Sequence, residues 1–358
     1  MSNEHLAQQL RELCDSVPVP DQDIATAAIT RLNQLTKPPG SLGTLETLIV
    51  QLATITGHVQ PTFAHPAVLV AAGDHGVVAE QVSPFPQSVT LQMVQNFLHG
   101  GAAINALAAN AGARVIVVDA GVADGLPEHP QLQRISMRKG TGNLLREPAM
   151  SRTETMQAVL AGAALLKHER AAGLDLLALG EMGIGNTTPA ACLTSAFTGA
   201  APAITTGRGT GLDDAGLSHK QQVVAAALER AKPDQLDPLG ILAELGGYEI
   251  AVLAGATLAA ATHRIPIVVD GYVATSAVLA AVALAPQTRD FLIAGHRSAE
   301  PGHRVALEHL ELQPLLTLEM RLGEGSGAAL ALPIVQGAAR VMRDMATFGE
   351  AGVDEKIG

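Results

Sequence analysis

Five short apolar runs, each ending at a polar residue, recur along the chain and restrict its fold more than any other feature. They span residues 67–73, 114–118, 176–180, 265–269 and 291–295. Segments with the helical spacing of Ala, Leu and Val separate them, at about 87–111, 154–172, 217–231, 246–262 and 272–284. Buried strands that alternate with helices predict an α/β fold with a parallel, doubly wound sheet.

The polar residues that end these runs are candidate ligand contacts. In sheets of this kind, ligands bind beyond the carboxyl ends of the strands. Those ends carry Asp74, Asp119, Glu181, Asp270 and His296. The competing interpretation is that some of these side chains cap the helices that follow. The pattern therefore predicts a ligand site at this edge of the sheet, formed by some of the five.

Helical patterns also occupy both ends of the chain. Residues 5–14 and about 22–35 have helical spacing of Leu, Ile and Ala, and a final helix at about 328–346 resembles them. We therefore expect residues 1–60 and 328–358 to pack together as a small all-helical domain. The large α/β domain then covers residues 61–327.

The segment Arg321-Leu-Gly-Glu-Gly-Ser-Gly327 places a single carboxylate, Glu324, between glycines. Glycines favour a tight loop whose backbone can approach a ligand closely. An Ala-rich apolar run follows, and a carboxylate in apolar surroundings has the raised pKa that suits a general base. The alternative is that Glu324 lies in the first turn of the next helix, where a negative charge is favourable.

Two glycine-rich loops are candidate anion sites. Residues 180–188 precede a helix, so that backbone N–H groups and the helix N-terminus can bind a phosphate. Residues 205–211 form the second loop, and Lys220 begins the helix after it. The first loop matches neither the dinucleotide fingerprint nor the nucleoside triphosphate loop. Each loop alone is equally consistent with a plain turn, but together, on an acidic chain, they favour a phosphate site.

The segment 82–96 follows the first apolar run and has an apolar, shape-defining character. Phe85, Met93 and the prolines at 84 and 86 contribute apolar surface, and Gln92 offers an amide for hydrogen bonds. These residues suit a flat, weakly polar ring as ligand. Ordinary helix packing is the competing explanation for Met93.

The charge balance restricts the partners. The chain of 358 residues carries a net charge of −11, which disfavours nucleic acid and anionic membranes without excluding a small anionic ligand. No apolar run has the length of a membrane span, and the acidic N-terminus lacks the pattern of a secretory signal. Cys14 and Cys192 have neither metal nor disulfide spacing. These features predict a cytoplasmic location.

Five motifs stand in the order that is found in one enzyme family. They are Lys37-Pro-Pro-Gly-Ser-Leu-Gly43, Gly73-Asp-His-Gly76, Gly180-Glu-Met-Gly-Ile-Gly-Asn-Thr187, Gly295-His-Arg-Ser298 and Leu322-Gly-Glu-Gly-Ser-Gly327. Over nearly its whole length, the chain resembles the nicotinate-nucleotide:dimethylbenzimidazole phosphoribosyltransferases of cobalamin biosynthesis. The resemblance implies a Rossmann-like large domain, a small helical domain from both termini, and a homodimer.

The resemblance also implies a reaction and the residues that perform it. The family transfers the phosphoribosyl group of nicotinate mononucleotide to 5,6-dimethylbenzimidazole, which gives α-ribazole 5′-phosphate and nicotinate. Glu324 matches the catalytic base, and Glu181 matches a second acidic residue near the ring. Substrate contacts are assigned to Pro84, Gln92, Met93, Gly183, Asn186, Lys220, Asp270, Gly271, Ser298 and Leu322. No metal ion or cofactor is implied, because nicotinate leaves as a neutral pyridine and one carboxylate can accept the proton that benzimidazole loses.

Two other functions fit the same layout. A nicotinamide-dependent dehydrogenase shares the α/β order, but Gly73-Asp-His-Gly76 stands where its glycine fingerprint is expected. A non-catalytic nucleotide-binding module would retain the phosphate loops, but it would have no use for Glu324.

Overall fold

One parallel sheet of six strands forms the centre of the protein. In the computed structural model, which describes residues 2–354, the strands are β1 (Pro66–Gly73), β2 (Arg114–Gly121), β3 (Leu132–Arg134), β4 (Leu176–Met182), β5 (Ile267–Val269) and β6 (Leu292–Ala294). Their order is β3-β2-β1-β4-β5-β6, and every neighbouring pair is parallel. This is the strand order of the Rossmann fold, in which the winding direction reverses between β1 and β4. The prediction of a doubly wound parallel sheet is confirmed.

Each central strand is buried on both faces. Along β1, the odd-numbered residues from Ala67 to Ala71 pack into one hydrophobic cluster, and the even-numbered residues from Val68 to Ala72 pack into another. Helices cover both faces of such a sheet, so both sets of side chains must be apolar. This is why the strands appear in the sequence as continuous apolar runs.

The helices form two layers, one on each face of the sheet. They are α1 (Asn3–Asp15), α2 (Gln22–Gln34), α3 (Thr44–Thr56), α4 (Ser88–Leu98), α5 (Ala103–Asn110), α6 (Arg152–Ala171), α7 (Thr187–Thr198), α8 (Pro202–Thr205), α9 (Asp214–Ala231), α10 (Pro238–Leu245), α11 (Tyr248–Thr262), α12 (Tyr272–Leu284), α13 (Pro301–His309), α14 (Ser326–Asp344) and α15 (Phe348–Ala351). Most buried side chains of α1, α6, α7 and α9 to α12 belong to the first cluster, and most of those of α2 to α5 and α14 to the second. Two short 3-10 helices span Gly76–Glu80 and Pro286–Phe291. Among the described residues, no helix combines the length and apolar character that a membrane crossing requires.

Helices from the two ends of the chain meet in the second layer. Helix α14 packs against α3 and α5. The Arg31 side chain donates to the carbonyl of Met342 at 2.9 Å, and Leu35 forms an isolated antiparallel bridge with Thr347. Helix α1 lies in the opposite layer, against α6 and α11. The division into a small domain (1–60 plus 328–358) and a large domain (61–327) stays a prediction.

The sequence pattern missed some elements and merged others. Strand β3 was not predicted because its three residues, Leu-Gln-Arg, form no apolar run. The predicted helix at 87–111 is two helices, because Gly100 has a φ of +77° and interrupts the helical conformation between α4 and α5. Helices α10 and α13 were not predicted either, and they are only 8 and 9 residues long. Short elements carry too few periodic positions to be recognised.

Candidate active site

The Glu324 loop docks on the carboxyl end of β4. Glu324 has a φ of +65°, and its N–H donates to the carbonyl of Glu181 at 3.2 Å. A Cβ atom added to Gly180 would lie 2.6 Å from the carbonyl oxygen of Glu324, so the two backbones are in direct contact. The predicted tight glycine loop is confirmed, and helix α14 begins two residues after Glu324.

Asp270 fixes this loop from the end of β5. No side chain within the loop caps α14. Instead, Asp270 accepts hydrogen bonds from the N–H groups of Gly325 at 3.1 Å, Gly327 at 2.7 Å and Ala328 at 3.0 Å. A carboxylate at this position satisfies the free N–H groups of the first helical turn. Asp270 therefore holds the segment that carries Glu324, and its predicted contact with substrate stays a prediction.

The Glu324 carboxylate is placed to accept a proton. Its residue is 4% exposed, and within the described part of the chain its Oε2 atom is buried without a hydrogen-bond partner. Burial raises the pKa of Glu324, the backbone N–H of Ile104 opposes the rise, and the Asp270 carboxylate adds to it. A buried carboxylate with a raised pKa binds a proton more readily than a solvated one.

Glu181 is a second buried carboxylate beside this loop. The pKa of Glu181 is raised to about 8. Burial is the largest cause of this rise, and the carboxylates of Asp270 and Glu249 also contribute to it. Asn186 opposes it by donating from Nδ2 to Oε2 of Glu181. Glu324 also contributes to the rise, so the two predicted catalytic carboxylates interact. At neutral pH, Glu181 is therefore mainly protonated.

The predicted phosphate loop leads into helix α7, and a buried lysine lies behind it. Lys220 is 0% exposed, and its Nζ donates to the Thr187 hydroxyl, on the first residue of α7, at 2.6 Å. Burial lowers the pKa of Lys220 to about 8, an effect that the Glu300 carboxylate opposes. The helix N-terminus and the ammonium group together provide local positive potential on an acidic protein.

One pocket at the carboxyl edge of the sheet is lined by half of the predicted site residues. Its lining includes Glu181, Gly183, Asn186, Gly271, Ser298 and Leu322. Glu324 directly follows Gly323, which lines the pocket. Lys220 donates a hydrogen bond to Thr187, which also lines it.

The three predicted ring contacts lie outside that lining. Pro84 and Gln92 are exposed, and Met93 is partly buried against the cluster beneath α4. Two hydrogen bonds join the segment 82–96 to the pocket. The hydroxyls of Ser83 and the pocket residue Thr210 are 3.0 Å apart, and the N–H of the pocket residue Ile184 donates to the Thr90 hydroxyl at 3.1 Å. The assignment of these three residues to the ring stays a prediction.

The five polar strand ends divide between two roles. Glu181 and His296 line the pocket. Asp74 and Asp119, like Asp270, instead accept hydrogen bonds from backbone N–H groups, of Ala123 in the first case and of residues 121 and 122 in the second. The sequence left ligand contact and helix capping open for these positions. Of the three aspartates, only Asp270 binds the start of a helix, and that helix is α14 rather than the one that follows it; Asp74 and Asp119 accept N–H groups of loop residues.

Several pocket residues were missed by the sequence pattern. Tyr272, Glu300 and Arg321 line the pocket, and a His75–Glu249 pair, 2.7 Å from Nε2 to Oε1, is fully buried next to the phosphate loop. Although burial alone would lower it, the pKa of His75 is raised by the Glu249 carboxylate. The available signal for Glu300 was its position just before Pro301-Gly302, where helix α13 begins after β6.

Comparison with known proteins identifies relatives over nearly the whole chain. A phosphoribosyltransferase family model matches residues 17–353. A Chloroflexus aurantiacus protein named nicotinate-nucleotide–dimethylbenzimidazole phosphoribosyltransferase is 52% identical over 337 residues, 94% of this chain and 96% of that protein. A Deinococcus radiodurans protein of the same name is 52% identical over 350 residues, 96% of this chain and 95% of that one. The crystal structure of CobT from Thermus thermophilus matches with a TM-score of 0.91 and 50% identity, over 93% of this chain and 100% of that chain.

The motifs, the strand order and these relatives agree. The relatives are named as a transferase, which gives no support to a dehydrogenase or a non-catalytic nucleotide-binding module. The chain belongs to the nicotinate-nucleotide–dimethylbenzimidazole phosphoribosyltransferase family.

Proposed function

We propose that this protein transfers the phosphoribosyl group of nicotinate mononucleotide to 5,6-dimethylbenzimidazole, for the lower-ligand nucleotide of cobalamin. The family relationship supports the reaction. The observation that carries the proposal is the buried Glu324 carboxylate, which has an unpartnered oxygen and adjoins a pocket with a phosphate loop. The products are α-ribazole 5′-phosphate and nicotinate.

Glu324 acts as the general base. One nitrogen of dimethylbenzimidazole attacks C1′ of the nucleotide and forms the new C–N bond. The old C1′–N bond breaks, and its electron pair returns to the pyridine nitrogen, which becomes neutral. The other nitrogen of dimethylbenzimidazole loses its proton to the Glu324 carboxylate. General-base help of this kind contributes about 10²- to 10⁴-fold to the rate.

The remaining site residues bind and orient the nucleotide. The phosphate binds at the N-terminus of α7, near Gly183 and Asn186, with Lys220 supplying positive charge behind Thr187. Glu181, neutral at pH 7 and tied to Asn186, offers a hydrogen-bonding carboxyl group without a second negative charge beside the base. Holding both substrates in one pocket supplies a large part of the rate enhancement.

An assay with both substrates tests the proposal. The purified protein is incubated with nicotinate mononucleotide and dimethylbenzimidazole, and α-ribazole 5′-phosphate and nicotinate are measured by chromatography and mass spectrometry. Equal amounts of the two products are expected, and neither should form when dimethylbenzimidazole is left out. Release of nicotinate without α-ribazole phosphate would indicate a nucleosidase instead. No product from either substrate would contradict the proposal.

We also propose that the protein is a homodimer and that it is located in the cytoplasm. Large apolar side chains are available on the surface for a subunit contact, among them Phe85 (48% exposed), Ile204 (51%), Leu318 (53%) and Leu322 (56%). Light scattering after size-exclusion chromatography tests the dimer, and a mass equal to one chain would contradict it.

A further inference from the structure

Glu300 is a buried acidic residue in the pocket that no step above uses. It lies between β6 and α13, directly before Pro301, and is only 7% exposed. Its Oε1 atom accepts the N–H of Gly209, in the second glycine-rich loop, at 2.9 Å. Both residues line the same pocket as Glu181 and Ser298. One oxygen of the Glu300 carboxylate is therefore hydrogen-bonded to this loop.

The other carboxylate oxygen of Glu300 has no hydrogen-bond partner among the described residues. Within residues 2–354, Oε2 of Glu300 is buried and receives no hydrogen bond. The hydrogen bonds of the two nearby cations go to other acceptors: Lys220 donates to Thr187 at 2.6 Å, and Arg321 donates to the carbonyl of Gly209 at 3.4 Å. A buried carboxylate oxygen without a hydrogen bond is costly, so such atoms in a binding pocket are expected to meet a donor from the ligand.

The chemistry of the pocket restricts which part of a nucleotide can supply that donor. A phosphate has only acceptor oxygens at neutral pH and would be repelled by the carboxylate. The ribose has two free hydroxyls, which are donors. The phosphate is drawn to Lys220 and the start of α7, whereas C1′ must approach Glu324. The ribose therefore lies between these two points, in the pocket that Glu300 also lines.

We propose that Oε2 of Glu300 accepts a hydrogen bond from a ribose hydroxyl of the nucleotide and makes the site selective for ribose over deoxyribose. Carboxylates play this part for ribose in other nucleotide sites on the same type of sheet. A site built to hydrogen-bond a hydroxyl discriminates strongly against the analogue that lacks it. The inference rests on the proposed function, because it takes nicotinate mononucleotide as the ligand.

The competing explanation is that Glu300 serves only to hold the Gly209 loop. Two substitutions separate the explanations. Glu300→Gln keeps an acceptor for the Gly209 N–H but replaces the charged oxygen, and Glu300→Ala removes both. Glu308→Gln is the matched control, because Glu308 lies on the exposed side of α13, with a side chain that is 69% exposed.

The experiment measures the binding of three ligands by calorimetry. The ligands are nicotinate mononucleotide and its 2′-deoxy and 3′-deoxy analogues, and the proteins are the parent and the three variants. For the parent and Glu308→Gln, we expect one deoxy analogue to bind roughly 10- to 100-fold more weakly than the nucleotide. In Glu300→Ala that ratio should fall to within about threefold. Glu300→Gln should be intermediate, because its amide NH2 takes the place of Oε2 and can only donate to the hydroxyl, in a weaker bond between neutral groups.

The outcomes distinguish the two claims. Equal discrimination in the parent and in Glu300→Ala would overturn the ribose contact and leave Glu300 as a loop residue. A parent that binds all three ligands equally would overturn it as well, while leaving the proposed function intact. A parent that binds none of the three would contradict the proposed function and the ribose contact with it. Thermal unfolding of each variant checks that the fold is retained.

Discussion

At the scale of single residues, burial sets the chemistry of the two central glutamates. Glu324 and Glu181 come from distant parts of the chain, yet the N–H of the first donates to the carbonyl of the second. Both carboxyl groups have a raised pKa, with burial as the largest cause. Their mutual repulsion favours a state in which only one of them is charged.

Replacing Glu324 by Gln removes the proton acceptor and nearly preserves the shape. We expect kcat to fall by about 10²- to 10⁴-fold, with the affinity for nicotinate mononucleotide within a few-fold of the parent. In the parent, activity should fall as the pH falls through the pKa of Glu324, which is raised above 4.5. Steady-state kinetics across pH give both results. Parental turnover in the Gln variant would remove Glu324 from the role of base.

Replacing Glu181 by Gln tests the raised pKa through stability. Between pH 4.5 and about 8 the folded protein retains a proton on Glu181 that the unfolded chain has released. The parent should therefore lose stability as the pH rises through this window, by up to about 5 kcal/mol, and then level off. The Gln variant lacks this loss. Urea unfolding of both proteins from pH 5 to 9 measures the difference, and a difference that does not change with pH would show that Glu181 titrates normally.

At the scale of elements, close backbone contact fixes the helices of the first layer. Helices α6 and α11 cross where Gly162 faces the backbone of Val252 and Gly255 faces the backbone of Val159. A Cβ atom at either glycine would overlap main-chain atoms, which cannot move aside as a flexible side chain can. Helix α11 carries Glu249 at its start, so this crossing also positions the pair that lies behind the phosphate loop.

A single methyl group at this crossing should be destabilising. Gly162→Ala should lower the free energy of unfolding by about 1–3 kcal/mol through overpacking, although alanine favours helix. Gly337 in α14 is the matched control, since a Cβ there meets nothing within 4 Å. Gly337→Ala should raise stability by up to about 1 kcal/mol. Chemical unfolding of both variants provides the comparison, and equal effects at the two glycines would contradict close contact between α6 and α11.

At the scale of the whole molecule, the pocket joins segments that are far apart in the chain. Its lining comes from the carboxyl end of β4, the Gly209 loop, the segments after β5 and β6, and the loop before α14. A nucleotide that spans these segments binds only the folded protein, so it should stabilise the fold as a unit.

Ligand-dependent unfolding tests this arrangement. Nicotinate mononucleotide at 100 times its Kd should raise the free energy of unfolding by about 2.7 kcal/mol. At the same concentration, Lys220→Ala should lose most of this stabilisation, because it removes the charge behind the phosphate loop. Lys167→Ala, on the exposed side of α6, should behave like the parent. In separate titrations, the affinity for dimethylbenzimidazole should be nearly the same in Lys220→Ala as in the parent. An equal loss for both ligands would contradict a phosphate role for Lys220.

Local sequence was enough to predict the sheet class, the family motifs and the loop around Glu324. Strands buried on both faces must be apolar throughout, and glycines must occupy a tight loop, so both leave a local pattern. Which strand-end carboxylates face the pocket and which hold backbone emerged only from the folded chain. Asp270 and Glu181 look alike in sequence, but the first accepts three N–H groups at the start of a helix that begins 56 residues later. The same holds for Glu300, whose burial and unpartnered oxygen arise from the Gly209 loop across the pocket. The environment of a charge depends on atoms brought together by folding, and no local pattern records it.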